Sequence, residues 1–322
     1  MQTMIDFDDA PVFAMPGFDG IGVREGMLIE GPQGWGEFSP HDDCDDRVAA
    51  RWLTAAIESG TVGWPDPVRG RVPIAVAVPA VDPDRAHEVV ANSGCRTAEV
   101  SVANHTGSHA DDVSRLEAVR DALAADGIVR CWANGRWDVD TAVATIAALD
   151  RAAGGLEFVG QPCRSADELA AVRARVDVPI ATTVPIGAAD APTASLVGVA
   201  DVAILRCGPL GGARRALVIA EACGLPCVVA STGESSIGWS AGLALAGALP
   251  ELRYACALGT ALQVSGDLVA GARSLVPVGG YLPVAPMPPA PDAELVRRYA
   301  VTDSDRIAWW RGRLDAARRY VT

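Results

Sequence analysis

Glu99, Ser101, Trp132, Asn134, Gly160, Thr183, Arg206 and Glu234 stand at or near the ends of short β-branched runs, and chemistry in this chain is sought first among them. A carboxylate in an apolar setting can act as a general base because burial raises its pKa, and Glu99 is the candidate for that role. Ser101 is no base by itself. Arg206 keeps its proton near neutral pH, so it can clamp an anion and cannot abstract a proton. Its structural alternative is an ion pair with Glu99 or Glu234, the favoured reading because isolated buried charges are costly. Trp132 can be a stacking platform or can fill a hole, and filling is favoured because burying an indole in preformed space is downhill.

Trp132, Gly160 and Thr183 supply an indole, a hydrogen and a hydroxyl, none of which carries negative charge. Asn134 shares a strand face with Trp132 by alternation, and its amide oxygen is a neutral hydrogen-bond acceptor. The stretch from His41 to Asp46 reads as a solvated acidic loop leading into a helix N-terminus, with cation binding as the lesser alternative. His105 and His109 have the i, i+4 spacing of shared metal ligands, yet no third ligand is evident, and surface histidines are the better reading.

These residues need strands to carry them. β-Branched runs at 72–80, 97–103, 128–134, 156–161, 178–183, 202–207, 227–231 and 254–260 alternate with Ala-rich helical patterns at 111–125, 139–153, 166–176, 213–223 and 238–248. Nearly continuous apolar strands between helices indicate a parallel sheet covered on its faces, and such a set closes naturally into a barrel. Ser165, followed by Asp167 and Glu168, marks one helix start, and Gly224-Leu225-Pro226 marks one helix end. The earlier part differs. Residues 27–30 and 35–38 flank Gly31-Pro32-Gln33-Gly34 as a hairpin, and 46–59 reads as a helix. Residues 1–71 therefore form an α+β cap, completed by 275–322, and residues 72–274 form the barrel.

Half of the 322 residues are apolar, enough for a large core, and the net charge of −13 argues against nucleic-acid and anionic-membrane surfaces. The N-terminal residues carry Asp6, Asp8 and Asp9 and no basic segment, so no signal peptide is expected, and no run is long enough to span a membrane. Eight scattered cysteines without a CxxC spacing suit small buried hydrophobes in a reducing cytosol, and they give no functional lead. A cytoplasmic protein is expected.

The strand ends Cys131-Trp132-Ala133-Asn134, Gly160-Gln161-Pro162-Cys163 and Ala181-Thr182-Thr183-Val184, with Gly208-Pro209-Leu210-Gly211-Gly212, resemble the actinobacterial o-succinylbenzoate synthases of the enolase superfamily. So do Gly34-Trp35-Gly36-Glu37-Phe38, Asp138-Val139-Asp140-Thr141-Ala142, Ala241-Gly242-Leu243-Ala244-Leu245-Ala246 and Leu258-Gly259-Thr260, and the resemblance covers nearly the whole chain. It implies a modified (β/α)8-like TIM barrel with an α+β capping domain. It further implies a pocket of Glu99, Ser101, Trp132, Asn134, Gly160, Thr183, Arg206, Glu234, Gly259 and Thr260.

The family's reaction is the Mg²⁺-dependent syn dehydration of 2-succinyl-6-hydroxy-2,4-cyclohexadiene-1-carboxylate to o-succinylbenzoate, a step of menaquinone biosynthesis. In the family, Asp, Glu and Asp stand at the positions of Trp132, Gly160 and Thr183 and hold the metal. Lysines stand at the positions of Ser101 and Arg206 on either side of the substrate, and another at that of Glu99. The metal's stabilisation of the enediolate is worth several kcal/mol. Acid–base assistance adds roughly 10²–10⁴-fold. With both removed, the expectation is a pseudoenzyme relative of a carbon–oxygen lyase, without Mg²⁺ or another cofactor, that binds a small carboxylate or a partner protein. Two alternatives stay open: metal-independent lyase or isomerase chemistry through Glu99, Arg206 and Glu234, and retained synthase activity. Gly17-Phe18-Asp19-Gly20 replaces a basic loop of the family and His41–Asp46 an apolar and aromatic one, so the resemblance does not by itself imply the family's substrate specificity.

Overall fold

In the computed structural model, residues 5–16, 22–104, 108–185, 196–258, 266–271, 275–284 and 289–321 are described. The hairpin expected around Gly31-Pro32-Gln33-Gly34 forms between the second and third strands. Strands β1 (Val12–Pro16), β2 (Val23–Gly31) and β3 (Gly34–Phe38) form an antiparallel sheet in that order, with Leu28 opposite Glu37. Helix α1 (Asp46–Thr61) begins at Asp45, whose carboxylate accepts the Val48 N–H. It lies so close to β3 that a β-carbon on Gly36 would stand 2.1 Å from the Ala56 carbonyl oxygen. Glycine at 36 is what lets α1 lie against the sheet. Met27, Phe38, Trp52 and Leu53 then bury together with Trp310 and Leu314 from the C-terminal end of the chain.

The barrel opens with β4 (Arg71–Pro73) and β5 (Ala75–Val78), followed by α2 (Pro83–Ala91), β6 (Thr97–Ser101), α3 (His109–Ala122), β7 (Ile128–Trp132), α4 (Val139–Ala153), β8 (Leu156–Gly160) and α5 (Ala166–Arg173). It continues with β9 (Ile180–Thr183), β10 (Val202–Leu205), the short α6 (Cys207–Leu210), α7 (Ala213–Cys223), β11 (Cys227–Val229) and α8 (Ser236–Ala248). The chain ends with β12 (Tyr281–Pro283), α9 (Ala293–Arg298) and α10 (Ser304–Arg318). Strands β5 to β11 form one parallel seven-stranded sheet whose neighbours follow chain order.

The eighth segment is looser than its sequence suggests. Instead of a strand over 254–260, the described part makes two isolated parallel bridges, Cys256 with Ile74 and Ala257 with Ala230. These join the two edges of the sheet, so the barrel closes through a short seam. The run at 72–80 also divides, because β4 turns away to pair antiparallel with β12 while β5 enters the barrel. Helix α2, absent from the sequence reading, is capped by Asp82 and started by Pro83. The architecture is an α/β modified TIM barrel with a cap. Among the described residues, no helix is long and apolar enough to cross a membrane.

Two layers of side chains divide the interior. Alternate strand residues such as Val76, Val100, Cys131, Val159 and Leu205 face the helices, while Phe158, Ala181, Val202, Ile204 and Val228 gather inside the barrel with Trp132 and Tyr254. Cap and barrel are joined by Glu58 of α1, which accepts the N–H groups of Ala213 at 2.7 Å and Arg214 at 3.1 Å. Helix α7 has Gly212 before it and no side-chain cap of its own, so the carboxylate from the other layer satisfies its orphan donors.

Candidate functional site at the barrel mouth

Trp132, Gly160 and Thr183 end β7, β8 and β9, side by side on the rim where active sites of such barrels lie. Trp132 and Gly160 are partners across the β7–β8 ladder. A β-carbon on Gly160 would stand 2.4 Å from Cε3 and 2.9 Å from Cζ3 of the indole. The ring therefore occupies the space into which any side chain at 160 would begin to grow. Thr183 is half-buried, and its N–H donates to Gln161 Oε1 at 3.1 Å.

Arg206 follows β10, with its guanidinium 5.2 Å from the centre of the Trp132 ring. Its Nε is covered and has no hydrogen-bond partner. The expected ion pair with Glu99 or Glu234 is not formed: among the described residues Arg206 is stacked on an aromatic face instead. Both carboxylates are held elsewhere by nearer donors. Burial lowers the Arg206 pKa from its ordinary value, while the charges of Glu234 and Glu99 act in the opposite direction.

Glu99 lies one pleat below Ser101 on the barrel side of β6. It accepts a 2.9 Å hydrogen bond from Arg130 Nε, and the same guanidinium donates through Nη1 to the Ala255 carbonyl at 2.8 Å. Arg130 also stands 3.6 Å from Glu157 and 4.9 Å from the centre of the Phe158 ring, with no side-chain exposure. Burial raises the Glu157 pKa, and Arg130 opposes that. Sequence reasoning passed over Arg130, although its place two residues before Trp132 put both on one face.

Glu234 is turned into its own loop, accepting Thr232 N–H and Ser231 Oγ, each at 2.7 Å, and the Thr232 hydroxyl. Beside it, Glu37 of β3 accepts Ser39 Oγ at 2.7 Å, Ser235 N–H at 3.0 Å and the Ser235 hydroxyl. Desolvation raises the Glu37 pKa to about 7, against the lowering influence of Ser235 and Arg24. Arg24 donates to Ser39 Oγ at 3.0 Å and stacks 5.5 Å from the Trp52 ring centre. Trp52 in turn lies on Gly208, where a β-carbon would meet its ring at 2.4 Å. The cap thus brings Arg24, Glu37 and Trp52 to the mouth. The motif around Glu37 signalled this contact, but nothing local signalled Arg24.

The remaining candidates divide. Ser101 is half-buried at the end of β6, and its carbonyl accepts Arg115 Nη1 at 3.1 Å. Asn134 is exposed with φ +55°, beyond the last residue of β7, so strand alternation does not extend to it. Gly259, Thr260 and His105 lie outside the described residues, as does Gly17–Gly20, while His109 begins α3. In the acidic loop, Asp45 caps α1 and Asp42 pairs with Arg306 at 2.9 Å.

As a Mg²⁺ cradle the donor set does not fit. The three adjoining strand ends offer no carboxylate, and Arg206, stacked on Trp132, would repel a second cation. Among the described residues no cluster of three or more His, Cys, Asp or Glu is placed to hold a metal. What the arrangement can do is present a fixed positive charge, backed by an indole, to an anion entering the mouth.

Comparison with known proteins follows the same lines. Residues 13–60 match the family model described as enolase N-terminal domain-like, and residues 82–289 match the one described as enolase C-terminal domain-like. The o-succinylbenzoate synthase of Thermobifida fusca is 50% identical over 310 residues, 95% of either chain. That of Mycolicibacterium smegmatis is 45% identical over 94% of this chain and 92% of its own. Among solved structures, 2-chloromuconate cycloisomerase from Rhodococcus opacus superposes with a TM-score of 0.73 at 20% identity, covering 94% of this chain and 100% of its own. The L-Ala-D/L-Glu epimerase of Bacillus subtilis gives 0.71 at 19% identity over 90% of this chain and 98% of its own. These two establish kinship of fold alone.

Proposed function

We infer that this chain, which belongs to the o-succinylbenzoate synthase family of the enolase superfamily, keeps the family's framework without its metal-dependent dehydration, and binds a small carboxylate at the barrel mouth. The observation that carries this reading is the seating of Trp132 on Gly160, where one metal-ligand position has no side chain and its space holds an indole. Proton transfer lacks its groups as well. Ser101 is a poor base, and Arg206 holds its proton at neutral pH. In this reading Arg206 binds and orients the ligand carboxylate, Trp132 backs it, and the Arg24–Glu37 side of the cap limits access.

Metal-independent catalysis by Glu99, Arg206 and Glu234 draws no support from the geometry. Glu99 is committed to Arg130, and Glu234 to the backbone and hydroxyls of its own loop. Retained synthase activity is the second reading, favoured by the 50% identity to a chain named for that reaction. Incubating the purified protein with the cyclohexadiene substrate and Mg²⁺ separates the two. No o-succinylbenzoate above the uncatalysed rate is expected, and metal-stimulated turnover would establish the second reading instead. Calorimetric titration with o-succinylbenzoate tests the binding role. The native protein should bind it, and Arg206→Gln should weaken binding by about tenfold or more, the worth of a charge-assisted hydrogen bond. Equal affinity in both proteins would remove Arg206 from the account.

A further inference from the structure

At the end of the barrel away from the mouth, Cys223 is the last residue of α7 and Cys227 the first of β11. Gly224, at φ +65°, turns the chain between them, and their Sγ atoms stand 3.8 Å apart. All eight cysteines are free thiols. A disulfide needs its sulfurs at about 2.05 Å, so the two sulfurs must draw closer for the bond to form. Both thiols are buried, Cys223 at 4% and Cys227 at 7% exposure, and Cys227 is the one that borders open space. Cys227 lines a cleft of about 640 Å³ between the C-terminal ends of α7 and α8, with Leu217, Glu221, Leu249, Glu251 and Arg253 around it. That cleft offers both apolar surface and charges of either sign to a small zwitterionic or acidic molecule.

We propose that Cys223 and Cys227 form a redox-active dithiol, a modification site whose oxidant is a low-molecular-weight disulfide entering the cleft beside them. The step balances as thiol–disulfide exchange. One protein thiolate attacks a sulfur of the small disulfide, its S–S bond breaks, and one small thiolate leaves. The second protein thiol then loses its proton and attacks the mixed disulfide, expelling the second small thiolate. The protein dithiol is oxidised to one Cys223–Cys227 disulfide, and the small disulfide is reduced to two thiols. The local setting favours the first attack. A hydrogen bond from Cys227 pulls the Cys223 thiol below its ordinary value, and the same interaction pushes Cys227 up. Burial raises Cys131, Cys163 and Cys256, which makes them poor nucleophiles, and it also raises Cys44 although Arg313 donates to its sulfur at 3.0 Å.

The native protein, treated with glutathione disulfide and then alkylated and digested with trypsin, tests this. Arg215 and Arg253 bound a single tryptic peptide, residues 216–253, that contains both cysteines and no other. The expected product is that peptide lighter by two hydrogens and without alkyl groups. In Cys227→Ser the same peptide should instead carry one glutathione on Cys223. Recovery of the doubly alkylated native peptide, or of two separate glutathione adducts on it, would overturn the proposal. Oxidation at the partly exposed Cys44 alone would do the same.

Discussion

Glu99 accepts a 2.9 Å hydrogen bond from Arg130, a guanidinium with no exposure to solvent at all. The pair sits inside the barrel one layer beneath Trp132, and its geometry makes Glu99 a structural counter-ion. Removing one partner leaves the other charge buried, so Glu99→Ala should cost about 3–5 kcal/mol of unfolding free energy, read from urea denaturation. Glu157, 3.6 Å away, is the only further carboxylate facing that guanidinium among the described residues, and it moderates the loss without abolishing it. A cost below about 1 kcal/mol would mean that the pair is solvated.

The contact between Trp132 and Gly160 predicts a coupled pair of substitutions. Gly160→Ala places a methyl 2.4 Å from the indole, so it should destabilise by about 1–3 kcal/mol through overpacking. Gly160 lies in ordinary strand conformation, so no backbone strain adds to this. In a Trp132→Ala background the same change should be nearly neutral. Thermal unfolding of the four proteins gives the coupling, and additive costs would show that the ring has room to move aside.

Stability should also depend on pH through Glu37. Its pKa is about 7 in the folded protein against an ordinary 4.5, with desolvation the largest cause. Between those values the folded protein binds a proton that the unfolded chain has lost. Stability therefore falls as pH rises from about 4.5 to about 7, by about 3 kcal/mol at most, and changes no further above that through this group. Urea midpoints at pH 5 and pH 7.5 measure the slope, and Glu37→Gln should flatten it. A midpoint that rises over that range in the native protein and not in the variant would reverse the sign and exclude this origin.

Glu58→Ala should cost about 1–3 kcal/mol, because the buried N–H of Ala213 loses its acceptor at the start of α7. Gly212→Ala should remain destabilising even in that background, since φ +108° strains any residue with a β-carbon. Guanidinium denaturation of the single and double variants checks both. If Gly212→Ala became neutral once Glu58 was shortened, the clash at 1.9 Å would account for the whole effect and the backbone for none.

Much of this fold was legible because local signals agreed with one another. Residues 139–153 and 213–223 read as helices and are α4 and α7 to the residue, since Asp138 and Gly154 bound the first and Gly212 and Gly224 the second. The last strand was overread because its apolar composition says nothing of how few ladder bonds the closing seam makes. At the mouth, residue types alone showed which positions lack carboxylates. Partners were another matter. Arg206 was expected to pair with Glu99 or Glu234, but Arg130, far from Arg206 in sequence, takes the first carboxylate, and Ser231 and Thr232 take the second. Long-range competition of this kind leaves no trace in local spacing. The same holds for Arg24 and Trp52, which reach the mouth only through packing of the cap.

Calorimetric titration of the native protein with Mg²⁺ and with Mn²⁺ addresses the central claim most directly. With indole, hydrogen and hydroxyl at the three strand ends, neither ion should bind with millimolar or tighter affinity, whereas Trp132→Asp, Gly160→Glu and Thr183→Asp, combined with Ser101→Lys and Arg206→Lys, should create measurable binding. Saturable one-to-one binding to the native chain, abolished by substitutions around the mouth, would contradict the account.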